Sequence, residues 1–287
     1  MDNLDNKFEF FNVNHSNFSG MKNYLEVFEK FGVVVFRKFF IKDPIFTDFY
    51  NDIKLLAHKV IDKHKLNIDL DNSLNRILTE ISLTNREEIS AIYDLGTRPL
   101  KLLSGNRMKT HPLIMEMVKT IFGRESIVAS PYLGETLHIF PPGKENSKYN
   151  LPMHQDYPYI LQSPEQITAY INLGELQETN NGGIKVWPGS HREGISPSTL
   201  LENNLRITTN DDYYRDNYSE VAISFDVGDF AIFNSLLQHE GIQNKTACTR
   251  IVQLLRYSNL ANDLSISYSW ISCKGTDRGI QFSDIHG

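Results

Sequence analysis

The sequence has few cysteines, no long apolar run and no basic segment, and each absence excludes a class of protein. Two cysteines, Cys248 and Cys273, cannot build a disulfide framework, so we expect free thiols and a reducing, cytoplasmic environment. No apolar run approaches the roughly 18 residues of a membrane helix, and residues 1–14 lack the pattern of a signal peptide. A formal net charge of -6 without a basic run argues against a nucleic-acid partner. A monomer and a homodimer are both compatible with the sequence.

Length and patterning predict one mainly β domain with flanking α-helices. The chain has 287 residues, 40% of them hydrophobic and 22% charged, as in ordinary soluble proteins. Residues 1–125 predict mostly helices and one early strand. Residues 126–272 alternate short apolar runs with Gly, Pro, Asn and Asp, which is typical of a sandwich or barrel. We therefore expect a single domain, residues 1–287, in which helices pack on one face of a β core.

The individual elements follow from apolar periodicity and capping residues. Gly32 is expected to end the first helix, whereas Asp43 and Pro44 are expected to cap and begin the second. The predicted helices span residues 21–31, 44–61, 73–81, 87–95 and 110–122. The predicted strands span residues 33–36, 127–133, 136–140, 167–173, 183–187, 221–225, 229–233, 249–256 and 265–271.

Four residues form the most informative pattern in the chain. His154 and Asp156 are separated by one residue, so both side chains of an extended segment point the same way. About one such pair is expected by chance in this composition, and a lone His239 could equally be a hydrogen-bonded imidazole. Together, however, two imidazoles and one carboxylate leave open positions on a metal, which suits non-haem Fe(II) oxygenases. Arg250, eleven residues after His239, could bind the far carboxylate of 2-oxoglutarate or pair with a local acid.

Two longer segments resemble those of a known family. Residues 181–191 read Asn-Gly-Gly-Ile-Lys-Val-Trp-Pro-Gly-Ser-His, and residues 239–246 read His-Glu-Gly-Ile-Gln-Asn-Lys-Thr, with Arg250 closing the motif. They resemble, in the same order after the His-x-Asp pair, two motifs of the phytanoyl-CoA dioxygenase family. Residues 32–37, Gly-Val-Val-Val-Phe-Arg, resemble its N-terminal helix-to-strand start. The resemblance covers roughly residues 20–260.

The resemblance implies both a fold and a chemistry. The implied fold is a double-stranded β-helix, a cupin-like jelly roll, with flanking helices. Fe(II) would be held by His154, Asp156 and His239, and 2-oxoglutarate would chelate the iron and pair with Arg250. With O2, this site would hydroxylate a C–H bond. Tyr170 and Thr168 share one face of a predicted strand, where they either line the 2-oxoglutarate site or fill the barrel.

Two positions bear on what the site does. Gly241 stands where the family often has a serine that supports the cosubstrate carboxylate, so a hydroxyl contact is missing. Asp156 stands where related halogenases have a small residue, which argues for hydroxylation or desaturation. His191 of the Pro-Gly-Ser-His motif is expected to be structural.

The substrate is only outlined by the sequence. Tyr157 and Tyr159 are expected to line the entrance, and Trp187 to form core or pocket wall. Residues 141–152 and 200–218 are the candidate lids. Their basic side chains would grip a carboxylate or phosphate, or simply be solvated: Lys144, Lys148, Arg206 and Arg215. These walls favour a small polar metabolite such as an amino-acid derivative, a sugar or a natural-product intermediate.

Two other readings stay open at this point. One is a cupin-like metalloenzyme that does not use 2-oxoglutarate, for which the spacing of Arg250 from His239 would have no evident purpose. The other is a non-catalytic jelly-roll binding module, for which an intact ligand triad would be unnecessary.

Overall fold

The computed structural model describes residues 23–69, 72–84, 87, 102–131, 135–140, 151–174, 183–201 and 206–268. The helices in this part of the chain are α1 (Asn23–Phe31), α2 (Pro44–His64), α3 (Leu74–Thr84), α4 (Leu103–Lys109), α5 (Pro112–Phe122), α6 (Tyr157–Ile160), α7 (Asp211–Asn217) and α8 (Asp263–Ser267). The strands are β1 (Val33–Phe36), β2 (Val128–Ala129), β3 (Glu135–Phe140), β4 (Gln166–Asn172), β5 (Ile184–Val186), β6 (Ser198–Leu200), β7 (Arg206–Thr208), β8 (Val221–Ile223), β9 (Phe230–Asn234), β10 (His239–Gly241) and β11 (Arg250–Asn259).

The strands form two principal antiparallel sheets. The larger sheet has the order β1-β9-β4-β11, and the long strand β11 pairs along its far edge with both β3 and β2. The smaller sheet has the order β10-β5-β8, and β6 and β7 form a separate hairpin. This arrangement is the jelly-roll core that the family resemblance implies.

The larger sheet is apolar on both faces and lies between the helices and the smaller sheet. In β1, Val33 and Val35 face the smaller sheet, whereas Val34 and Phe36 face the helices. This alternation follows from the two-residue period of a strand. It explains why β1 reads as an unbroken apolar run, and it confirms that helices cover one face of the β core.

Most predicted elements are confirmed with small changes in their bounds. Asp43 accepts a hydrogen bond of 2.8 Å from the Phe46 N–H, Pro44 begins α2, and that helix continues to His64. Gly32 has a φ of 75°, the left-handed conformation expected where α1 ends. The helix predicted at 87–95 lies outside the described residues apart from position 87.

Three predictions need correction. Residues 265–268 are not a strand: Asn262 caps α8 by accepting from the N–H groups of Leu264 and Ser265, and this local cap outweighs the alternating Ser-Ile-Ser-Tyr pattern. The strand predicted at 127–133 is paired only over Val128–Ala129 within the described residues. The helix predicted at 110–122 begins at Pro112, because His111 caps it, and the preceding helix α4 was missed.

In the described part of the chain, no helix combines the length and apolarity that a bilayer crossing requires.

Candidate metal centre

The two histidines of the triad are joined through their backbones. His154 and His239 form an isolated antiparallel bridge, with N···O distances of 2.9 and 3.1 Å in the two directions. Their ring centroids lie 4.1 Å apart. The Asp156 N–H donates to the Ser235 carbonyl at 2.9 Å, which fixes the third ligand to the turn after β9. One donor atom from each of the three buried side chains lies within 4.8 Å of the others.

Each imidazole is oriented by its own backbone. His154 Nδ1 donates to the Pro152 carbonyl at 2.8 Å, and His239 Nδ1 donates to the Leu237 carbonyl at 3.0 Å. A carbonyl oxygen only accepts, so each Nδ1 carries the hydrogen and each Nε2 keeps its lone pair for a metal.

The protonation states also suit a metal. Burial, assisted by the neighbouring His239, lowers the pKa of His154 to about 3, so this imidazole is neutral at pH 7. Burial raises the pKa of Asp156, but Arg256, the two histidines and the Thr168 hydroxyl outweigh it and hold that pKa well below its usual range. A neutral imidazole and an ionised carboxylate are the forms that bind metals. The donor set therefore fits Fe(II), with open positions left for other ligands.

Asp156 is held by two further side chains. Thr168, on the inner face of β4, donates to Asp156 Oδ2 at 2.5 Å, so it contacts a candidate metal ligand. Arg256 donates to both carboxylate oxygens at 3.3 Å, through Nε and Nη2. Sequence reasoning missed Arg256, although it lies six residues after Arg250 on one strand and therefore on the same face.

One cavity contains the triad and Arg250. Its wall includes the following residues: His138, Phe140, Leu151, His154, Asp156, Tyr170, Ile184, Phe233, His239, Gly241, Arg250, Val252, Leu254 and Arg256. A few polar groups thus share a largely apolar pocket, as is usual for small-molecule sites.

Arg250 is buried, and no carboxylate of the described residues pairs with it. Its Nη1 donates to the Gly183 carbonyl at 3.0 Å, and its guanidinium lies 3.8 Å from the centroid of the Phe140 ring. Its Nε has no hydrogen-bond partner in the part of the chain that the structure describes. The alternative in which Arg250 pairs with a local acid therefore finds no support in the described residues. A buried cation with an unused donor leaves a place for an anionic ligand.

The other predicted site residues divide between cavity and core. Tyr170 lines the cavity and stacks on Phe225 with ring centroids 4.4 Å apart. The structure does not bring Tyr157 or Trp187 to this cavity, because both are buried in small apolar clusters beside it. Tyr159 is not among the described residues that line the cavity, but its ring makes an edge contact with the His154 ring, with centroids 5.6 Å apart.

Residues 206–218 of the candidate lid at 200–218 are held by side-chain contacts near the site. The Tyr159 hydroxyl donates to the Arg206 carbonyl at 2.6 Å and accepts from the Arg206 N–H at 2.8 Å. Arg215 pairs with Glu240 at 2.8 Å and lies over the Trp187 ring at 5.2 Å. Neither guanidinium is among the described residues that line the cavity. Of the other candidate lid, residues 141–152, the part at 141–150 with Lys144 and Lys148 lies outside the described residues.

His138 is a second cavity residue that the sequence did not single out. Burial, followed by Arg256 and Arg250, lowers its pKa to about 3, so it is neutral at pH 7. Its Nε2 lies 3.0 Å from the Thr136 hydroxyl. No motif marks this histidine, and only its place on β3 reveals it.

The family follows from a direct match. The family model "Phytanoyl-CoA dioxygenase (PhyH)" matches residues 29–252, most of the chain. The chain belongs to the phytanoyl-CoA dioxygenase family. Together with the triad, this membership makes it an enzyme of the iron- and 2-oxoglutarate-dependent oxygenase type. No protein with a curated function shows a significant sequence match.

Solved structures agree on the fold. The non-heme alpha ketoglutarate dependent carbocyclase SnoK from nogalamycin biosynthesis is 16% identical, with a TM-score of 0.56 over 86% of each chain. The epimerase SnoN, in complex with Fe3+, alpha ketoglutarate and nogalamycin RO, is 14% identical, with a TM-score of 0.56 over 84% of each chain. EctD from S. alaskensis with bound Fe is 16% identical, with a TM-score of 0.53 over 88% of this chain and 82% of that one. At these identities, the similarity shows a shared jelly roll.

Proposed function

We propose that this protein hydroxylates a C–H bond of a small polar metabolite, using Fe(II), 2-oxoglutarate and O2. The observation that carries the proposal is the convergence of four groups on one cavity. His154, Asp156 and His239 offer a set of metal donors, and Arg250 offers a buried positive charge that no carboxylate of the described residues pairs with.

Each residue has a role in this proposal. The triad would hold Fe(II), which with 2-oxoglutarate and O2 supplies an oxidant able to break a C–H bond, with release of succinate and CO2. Arg250 would hold the far carboxylate of 2-oxoglutarate through its planar fork. Tyr170, which faces the same cavity and interacts electrostatically with Arg250, would complete that carboxylate site. Thr168 would act through Asp156, whose carboxylate it holds.

The apolar part of the wall would keep water from the reacting atoms. Phe233 and Leu254 line the cavity and belong to the core between the two sheets. Excluding water strengthens the electrostatic contacts inside the site and protects reactive species. The remaining polar wall, His138 and Arg256, favours a small substrate with polar groups over a long acyl chain.

Hydroxylation is the preferred outcome among those known for similar folds. A structure of EctD contains 2-oxoglutarate and 5-hydroxyectoine, whereas SnoK and SnoN are described as a carbocyclase and an epimerase. Asp156 supports hydroxylation over halogenation, because a carboxylate occupies the position where a halide would need space.

Anaerobic titration would test the cosubstrate site. Fe(II) and then 2-oxoglutarate are added to metal-free protein, and the visible metal-to-ligand charge-transfer band is recorded. We expect a band in the wild type and a much weaker one in Arg250→Ala at the same 2-oxoglutarate concentration. Arg215→Ala, which removes a guanidinium outside the cavity, is the matched control and should retain the band.

The alternatives predict different spectra. Iron binding without a band would favour a cupin-like metalloenzyme that does not use 2-oxoglutarate. No iron binding would favour a non-catalytic binding module. A band in the wild type justifies screening polar metabolites for substrate-dependent succinate release.

A further inference from the structure

The Asp156 carboxylate is shared between the metal centre and Arg256. Its Oδ1 lies 4.0 Å from Nε2 of His239, the closest approach of the carboxylate to that ligand nitrogen. Its Oδ2 accepts from the Thr168 hydroxyl and from Arg256 Nε. Arg256 Nη2 also contacts Oδ1, at 3.3 Å. The side chains of Asp156 and Arg256 are 6% and 12% exposed, so water does little to screen either charge.

A buried carboxylate is costly unless an opposite charge accompanies it. Arg256 is the guanidinium that contacts Asp156 among the described residues. Without a metal, this contact supplies the opposite charge. With a divalent cation in the triad, the cation supplies it instead, and the guanidinium becomes a second positive charge close to the first. The benefit of Arg256 is therefore larger in the metal-free protein than in the loaded one.

We propose that Arg256 is the counter-ion of the metal-free centre. It neutralises the Asp156 carboxylate while the triad holds no metal. A guanidinium has no lone pair, so Arg256 acts through Asp156 and not as a ligand. This inference rests on the proposed metal centre and assigns it a residue outside the ligand set.

The proposal predicts that Arg256 stabilises the metal-free protein and destabilises the metal-loaded protein. Replacing Arg256 by Met should lower the melting temperature of the metal-free protein, since it leaves a buried, uncompensated carboxylate. The same replacement removes a repulsion from the loaded protein. The metal should therefore stabilise Arg256→Met by more degrees than it stabilises the wild type. Its dissociation constant should fall by at least about tenfold.

The experiment uses Ni(II), which does not oxidise in air, as the probe. Melting temperatures are measured with and without Ni(II), and the affinity is measured by calorimetric titration. Arg256→Lys, which keeps the charge without the two-pronged contact, should fall between the wild type and Arg256→Met, and it carries the same comparison if the Met variant does not fold. Arg215→Met is the matched control, because it breaks an ion pair with Glu240, the neighbour of His239, without touching a ligand. It should leave the metal-induced shift unchanged.

The outcomes separate this inference from the proposed function. Equal metal-induced shifts in the wild type and Arg256→Met would reduce Arg256 to a general structural residue and overturn the inference. A smaller shift in the variant would mean that Arg256 assists the metal, which also overturns it. If Ni(II) stabilises neither protein, the metal centre itself is refuted, and the inference falls with it.

Discussion

Thr208 donates a hydrogen bond of 2.8 Å to Oε1 of Gln238, the residue directly before the ligand His239. The other end of the same amide donates to the Ser196 hydroxyl at 2.7 Å. Ser196 also donates its N–H to Oε1 of Gln155, which lies between His154 and Asp156. Both glutamines therefore point away from the metal donors, and both bond Ser196. This buried network fixes the two ligand-bearing segments relative to each other.

We expect Gln238→Leu to weaken metal binding without touching a ligand. The change leaves the buried Thr208 hydroxyl without its amide partner, at a cost of about 1–3 kcal/mol, whereas the Ser196 hydroxyl keeps its hydrogen bond to Tyr214. Supporting residues of this kind typically change metal affinity by about 10–100-fold. Calorimetric titration with Ni(II) measures the effect. Asn217→Leu, which removes an exposed amide from α7, is the control. An unchanged affinity in Gln238→Leu would show that the network does not hold the ligands.

Gly183→Ala should impair the cosubstrate site. A Cβ at this position would lie 2.3 Å from the Ile223 backbone oxygen, so the strand must move. The Gly183 carbonyl accepts from Arg250, and the shift would disturb the guanidinium. We expect a higher KM for 2-oxoglutarate together with a lower melting temperature, measured by succinate release and thermal unfolding. A KM equal to that of the wild type would contradict the link between this strand and Arg250.

Gly241→Ser should lower the KM for 2-oxoglutarate. Gly241 lines the cavity and does not have a positive φ, so its backbone accepts a side chain. A serine would restore the hydroxyl that the family often places beside the carboxylate. A hydrogen bond to a charged group contributes about 1.5–3 kcal/mol, so we expect KM for 2-oxoglutarate to fall by about tenfold. A raised KM would show that another group already occupies this place.

The metal-free protein should lose stability as the pH falls, in part through His138. Burial and the two cavity arginines lower the pKa of His138 to about 3, below the value of about 6.5 in an unfolded chain. Between these values, the unfolded state binds a proton that the folded state does not, so the free energy of unfolding decreases from about pH 6.5 downwards. Urea unfolding at pH 7, 6 and 5 should show a smaller decrease for His138→Gln. An identical decrease in the free energy of unfolding of both proteins would show that His138 does not contribute to this pH dependence.

Asp43→Ala should destabilise the helical layer. Asp43 caps α2, and its Oδ2 lies 3.0 Å from Nε2 of the buried His111, which caps α5. Loss of the cap and of the buried hydrogen bond should lower the free energy of unfolding by about 2–4 kcal/mol. Asp48→Ala, in the same helix, breaks only an exposed pair with Arg107 and should change it by less than about 1 kcal/mol. Urea unfolding distinguishes the two. A loss no larger than that of Asp48→Ala would show that the cap contributes little.

The sequence by itself determined the chemical type of the site. The triad residues and Arg250 follow one another in an order that the sequence displays, and their identities, once clustered, restrict the chemistry to a few metals and cosubstrates. The caps at Asp43 and Gly32 could be read for a similar reason, because capping depends on residues within one turn. The layer order was also predictable, since apolar periodicity records which faces are covered.

The tertiary structure alone decided which side chains surround the ligands. Arg256 and Asp156 are 100 residues apart, and no local pattern relates them. The same holds for Gln238 and Thr208, which meet because strands from different parts of the chain are packed together. The sequence predicts Tyr157 at the entrance and leaves Trp187 between core and pocket wall, whereas the packing of neighbouring segments buries both side chains in small apolar clusters. Contacts within a turn or along one strand are set by local spacing, whereas contacts across sheets depend on register and packing, which a single sequence does not display.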